Sequence, residues 1–245
     1  MKYYQPKILY TMSKFKFCPA LIILLLSVSS TFGQGTSRET RNERDFTRIS
    51  YGISGNLYVN IGPEFKVVLE GRNDILREVE TSVTGGRLVI RQRNWRFSMR
   101  DQRVTAYVTM PSIDGLSVSG SGRAEIKDRV SSDALSLSVS GSGKIYAGDV
   151  EVRNLNCSIS GSGDIVLEGR GEARTAEIGI SGSGNYAGES FTVRDLSARI
   201  SGSGSCYCKV SETLEASISG SGNITYAGSP RINARVSGSG RVRSR

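Results

Sequence analysis

The chain has 245 residues, a formal net charge of +9, four cysteines and no histidine. Lacking histidine, it cannot use Ser-His or Cys-His nucleophilic catalysis or build the common mixed zinc site. The first 33 residues hold four lysines, Lys2, Lys7, Lys14 and Lys16, and no acid. Without them 28 Lys/Arg face 23 Asp/Glu, a net +5 that does not call for nucleic acid.

Those residues read as a secretory signal over 1–33. A basic start precedes the apolar run Ala20 to Val28, and small residues, Thr31 and Gly33, mark a cleavage point before Gln34. Met12 is an alternative start that gives a signal of more usual length. The apolar run is too short for a permanent span, so the mature chain is expected to have no membrane span. Cys18 lacks a lipobox, so no lipid anchor is expected. The polar stretch 34–45, with Arg38, Arg41 and Arg44, is expected to be a disordered leader.

From 46 to 115 strand signals recur at 49–53, 57–61, 65–69, 88–90 and 104–110, punctuated by Gly55, Gly62-Pro63, Gly71 and Gly85-Gly86. They are expected to form degenerate first coils and an N-terminal cap. From 116 to 245, in the same domain, Ser-Gly-Ser-Gly returns seven times. Its first serines are Ser119, Ser140, Ser160, Ser181, Ser201, Ser219 and Ser237. Spacings of 18 to 21 residues mark a solenoid of stacked coils.

One residue before each tetrapeptide stand Val118, Val139, Ile159, Ile180, Ile200, Ile218 and Val236. Three before stand Leu116, Leu137, Cys157, Ile178, Ala198, Ala216 and Ala234, and five after stand Ala124, Ile145, Ile165, Tyr186, Cys206, Ile224 and Val242. The period of two means strands with these residues inward. Carried through the tetrapeptide, that parity puts both glycines inward and both serines outward. A glycine in a strand costs roughly 0.5–1 kcal/mol relative to alanine, so a tight corner must require it. A flexible Gly/Ser linker would lack the apolar rows. Val150 and Val152, or Phe191 and Val193, supply a variable third side in the longer coils.

The lead-in Leu88-Val89-Ile90, the run 104–110, then Pro111-Ser112-Ile113-Asp114-Gly115-Leu116-Ser117-Val118 and the repeated corners resemble a Bacteroidetes family. It is the family called putative auto-transporter adhesin, head GIN domain, and the resemblance covers roughly 46–240. It implies an exported protein with an all-β, right-handed parallel β-helix-like solenoid fold and coils of about 18–21 residues. The stretch after the repeats is too short for a membrane β-barrel, so self-transport is not expected.

The candidate binding residues are the outward serines Ser119, Ser121, Ser140, Ser142, Ser160, Ser162, Ser181, Ser183, Ser201, Ser203, Ser219 and Ser221, with Tyr146 and Tyr207 beside them. At about 4.8 Å per coil they form a hydroxyl lattice that suits a repeating polymer such as a glycan. The competing account has these hydroxyls bonding one another and the corner backbone. Arg87, Arg91, Arg93, Arg96, Arg100 and Arg103 surround Trp95 and Phe97, a set that fits an anionic polysaccharide or nucleic acid less well than a solvated strand face and loop. Cys157, Cys206 and Cys208 are expected as buried free thiols, with no metal and no cofactor. Asp164 and Glu168 are the nearest thing to an acid pair, and no acidic cluster builds around them. No GSG match is a phosphate loop, because Gly143-Lys144 is followed by Ile145.

The expectation is an exported, non-catalytic, adhesin-like module that presents its serine face to a glycan or cell-envelope polymer. The alternatives are a structural envelope protein that self-associates as a homo-oligomer, a polysaccharide-active β-helix enzyme, and an ice- or mineral-binding surface.

Overall fold

The computed structural model describes residues 36–93 and 104–245, which form strands and one short helix. The signal read over 1–33 and the Trp95, Phe97, Arg96, Arg100 and Arg103 part of the basic stretch lie outside the described residues.

Thr36–Arg41, expected as disordered, is strand β1. It pairs antiparallel with the strand Lys66–Arg72. The Arg38 guanidinium bonds the Glu70 carboxylate at 2.6 Å, and Arg41 donates to the Leu76 carbonyl at 3.1 Å. Polar composition missed this strand because an open sheet edge captures backbone groups whatever the side chains are.

The N-terminal coils are not stacked in chain order. After β1 come β2 (Arg48–Gly52), β3 (Gly55–Ile61), β4 (Lys66–Arg72), helix α1 (Asn73–Leu76), β5 (Val79–Thr84), β6 (Arg87–Gln92), β7 (Val104–Met110), β8 (Gly115–Gly120) and β9 (Arg123–Ile126). β2 pairs in parallel with both β6 and β8, and β3 with both β7 and β9. Ile49 therefore lies between Leu88 and Leu116, and Leu57 between Ala106 and Ala124, all buried. The register places Tyr51-Gly52-Ile53-Ser54-Gly55 beneath Val118-Ser119-Gly120-Ser121-Gly122, a corner without the repeat's letters. β4 and β5 run antiparallel to β7 and β6, so this end of the stack is capped, with Ile75 and Leu76 of α1 buried.

Beyond β9 the coils follow chain order: β10 (Val130–Gly141), β11 (Lys144–Ala147), β12 (Val150–Gly161), β13 (Asp164–Leu167), β14 (Gly171–Gly182), β15 (Asn185–Gly202), β16 (Ser205–Gly220), β17 (Asn223–Ala227), β18 (Arg231–Ser237) and β19 (Arg241–Ser244). Each pairs in parallel with its copy in the next coil, giving a parallel solenoid of about six turns. Val118, Val139, Ile159, Ile180, Ile200 and Ile218 are all buried, and so are Val150, Val152, Phe191 and Val193. Fully burying one such aliphatic side chain is worth roughly 1.5–3 kcal/mol, so these rows hold the stack together. The shortening to 18-residue coils is absorbed by register shifts between β15 and β16, near Gly188/Thr192 and Val193/Asp195. In the last coil the same inward rows open, with Ile232 44% and Val236 45% exposed.

The two glycines of each corner differ, where parity had put both inside. The first has positive φ, +110° at Gly141 and +116° at Gly161, and stays half-buried. The second is buried: a Cβ on Gly143 would stand 2.7 Å from the Gly122 carbonyl oxygen and 2.7 Å from Val118 Cγ1. A positive φ interrupts strand alternation, so the first glycine turns the chain and the second is sealed against the previous coil. The interior also holds Cys157, Cys206 and Cys208 as free, buried thiols. Burial pushes the Cys157 thiol up, and contact with Cys208 together with burial does the same to Cys206.

Candidate functional site

The corner is closed by its own backbone. Ser142 N–H donates to the Gly120 carbonyl at 2.9 Å and Lys144 N–H to Gly122 at 2.9 Å. The pattern repeats coil after coil, as in Ser162 to Gly141 at 2.9 Å and Asp164 to Gly143 at 3.1 Å. Backbone groups at a corner must be satisfied somewhere, and here the neighbouring coil does it.

The corner backbone thus does not depend on the serine hydroxyls for its hydrogen bonds. In-register pairing lines up Ser119, Ser140, Ser160, Ser181, Ser201, Ser219 and Ser237 on successive coils. All twelve serines singled out from the sequence are exposed. Among the described residues the one hydroxyl pair in this ladder is Ser54 with Ser121 at 3.1 Å. That pair joins the degenerate coil to the first regular corner.

The tyrosines do not share the serine face. The chain turns through the tetrapeptide, so Ser140 ends one face while Tyr146, on β11, lies on the next. Tyr146 is half-buried, with the Arg123 guanidinium 3.9 Å from its ring centre, and Tyr207 is 37% exposed. Two further tyrosines on the same face were missed. Tyr58 and Tyr107 are cross-strand partners whose rings stack at 5.6 Å, with Lys127 Nζ 4.3 Å from the Tyr58 ring. Their outward parity is visible in Leu57-Tyr58-Val59 and Ala106-Tyr107-Val108; their adjacency is not, because it depends on a pairing across 49 residues.

Between serine corner and tyrosines runs a polar row. The Lys144 ammonium donates to Asp164 at 2.6 Å and the Asn185 amide donates to Asp164 at 3.0 Å. Partial burial alone would raise the Asp164 pKa, but these bonds outweigh it and hold the carboxyl below its ordinary value. A group kept ionised in this way is unsuited to act as a general acid. Of the basic stretch, Arg91 is engaged with Glu80 at 3.1 Å.

Stacked corners, satisfied backbone and an outward polar lattice define the chain as a parallel β-solenoid built around a repeated Gly-containing corner. A model of the family described as putative auto-transporter adhesin, head GIN domain, matches residues 45–230, and the chain belongs to that family. The fold is shared with a putative adhesin from Bacteroides fragilis, at 23% identity and a TM-score of 0.81, covering 86% of this chain and 97% of that one. It is shared with a putative lipid binding protein from Parabacteroides distasonis, at 21% identity, TM-score 0.71 and the same coverages. A putative adhesin from Parabacteroides merdae matches at 19% identity and a TM-score of 0.68, covering 86% and 97%. No curated protein shows a significant sequence match. Among the described residues no helix is long and apolar enough to cross a membrane.

Proposed function

We propose that the chain is an exported, non-catalytic adhesin-type head that engages a glycan or cell-envelope polymer along its serine corner. Membership of a family described as adhesin heads supports the class. The observation that carries the site is the ladder of exposed serines whose corner backbone is already satisfied by the next coil. One hydroxyl bond nets only about 1 kcal/mol against water. A useful affinity therefore needs several coils at once, and seven corners at about 4.8 Å span about 29 Å. A repeating polymer meets that demand.

A glycan array probed with the purified protein and with a Ser140→Ala, Ser160→Ala, Ser181→Ala, Ser201→Ala variant tests this. Binding by the parent, lost by a variant with an unchanged melting temperature, is expected. Equal binding by both would remove the serine corner from the site, and binding by neither would remove the glycan.

A second reading, self-association, is favoured by one observation: Ile232 and Val236 stand open in the last coil. Against it, that coil carries Arg231, Arg235, Arg241 and Arg243 and no acid, so two copies of this face repel.

A further inference from the structure

We infer that the tyrosine-bearing face beside the serine corner is a binding strip for the sugar rings of a neutral, linear polysaccharide, centred between Tyr146 and Tyr207. This deepens the glycan reading above and rests on it. The register places one residue of each coil in a single row: Tyr107, Tyr58, Glu125, Tyr146, Val166, Ala187, Tyr207, Thr225 and Arg243. From Tyr146 to Tyr207 is three coil steps, about 14 Å at strand spacing. The two positions between them, Val166 and Ala187, carry the smallest apolar side chains of the row. Two small apolar side chains thus lie between two tyrosines along the row.

A polar row flanks these positions. Asp164 holds Lys144 at 2.6 Å and Asn185 at 3.0 Å, which fixes an ammonium, a carboxylate and an amide in consecutive coils alongside Tyr146, Val166 and Ala187. Aromatic faces with hydrogen-bonding groups to one side suit a sugar, whose ring has an apolar face and a hydroxyl rim. Arg123 sits 3.9 Å over Tyr146 and steadies that ring. No cation sits over Tyr207 among the described residues, and it is the most exposed aromatic side chain of the face. From Tyr146 to Tyr207 the row itself is uncharged and Lys144 beside it is matched by Asp164, so a neutral ligand suits this stretch better than a charged one.

Affinity gel electrophoresis separates this strip from the serine corner. The purified protein is run through gels containing hydroxyethyl cellulose, xylan, galactomannan or polygalacturonate, at low and high salt. The same gels carry a Tyr146→Ala, Tyr207→Ala variant, a Tyr146→Phe, Tyr207→Phe variant and the four-serine alanine variant. All are first checked for unchanged thermal melting. The expected result is salt-insensitive retardation in at least one neutral gel, weakened about tenfold or more by the alanine pair and retained by the phenylalanine pair. Retardation abolished by the serine variant and untouched by the tyrosine pair overturns the strip while leaving the glycan reading standing. Retardation confined to polygalacturonate and lost in salt overturns it as a purely ionic effect. No retardation in any gel overturns it as well, and the array then decides the serine corner separately.

Discussion

The hydroxyls of Ser54 and Ser121 lie 3.1 Å apart although 67 residues separate them in the chain. This contact records the insertion of the β2–β3 coil between two later coils, β6–β7 and β8–β9. A solenoid that simply grew coil by coil would put Ser54 at its far end.

The insertion can be checked chemically. Neighbouring coils bring equivalent Cα atoms to about 4.8 Å, within the range a disulfide spans. A Ser54→Cys, Ser121→Cys variant should oxidise to an intramolecular bridge, seen as a mobility shift on non-reducing gels. A Ser54→Cys, Ser142→Cys variant, one coil further on, should not. The native thiols Cys157, Cys206 and Cys208 are buried and should not compete in the folded protein.

Two glycines should respond oppositely to alanine. At Gly143 the added Cβ would meet the Gly122 carbonyl and Val118 Cγ1, both at 2.7 Å, so overpacking should cost about 1–3 kcal/mol. At Gly179, outward on β14, it would meet nothing within 4 Å. There the gain in chain stiffness should leave stability unchanged or raise it by up to about 1 kcal/mol. Chemical denaturation of the two variants reads both signs.

The Asp164 cluster predicts a specific acid dependence. Its pKa is lowered in the folded protein, so it contributes stability above the unfolded carboxylate value, about 3.9, and loses it as pH falls through the lower folded value. Asp164→Asn should therefore lower the melting temperature at pH 7, and the gap to the parent should close below about pH 4. The site is partly exposed, so the effect at pH 7 should be about 1 kcal/mol or less. A gap that persists at pH 3 would assign the loss to packing rather than charge.

Much of this architecture is local information. The row Val118 to Ile218 and the serines opposite it follow from a period of two, and each is inward or outward as read. The corner was legible from its glycines, though parity misplaced the first of each pair, because a positive φ resets the alternation that parity assumes.

What the sequence by itself determined was the strand period, the coil length and the inward rows, since side-chain alternation depends only on neighbours in the chain. Tertiary structure alone decided which strands touch: β1 on β4, the β2–β3 coil out of order, and Tyr58 against Tyr107. Backbone hydrogen bonding carries no side-chain label, so partners distant in sequence are chosen by which edge is open and which apolar rows it can continue.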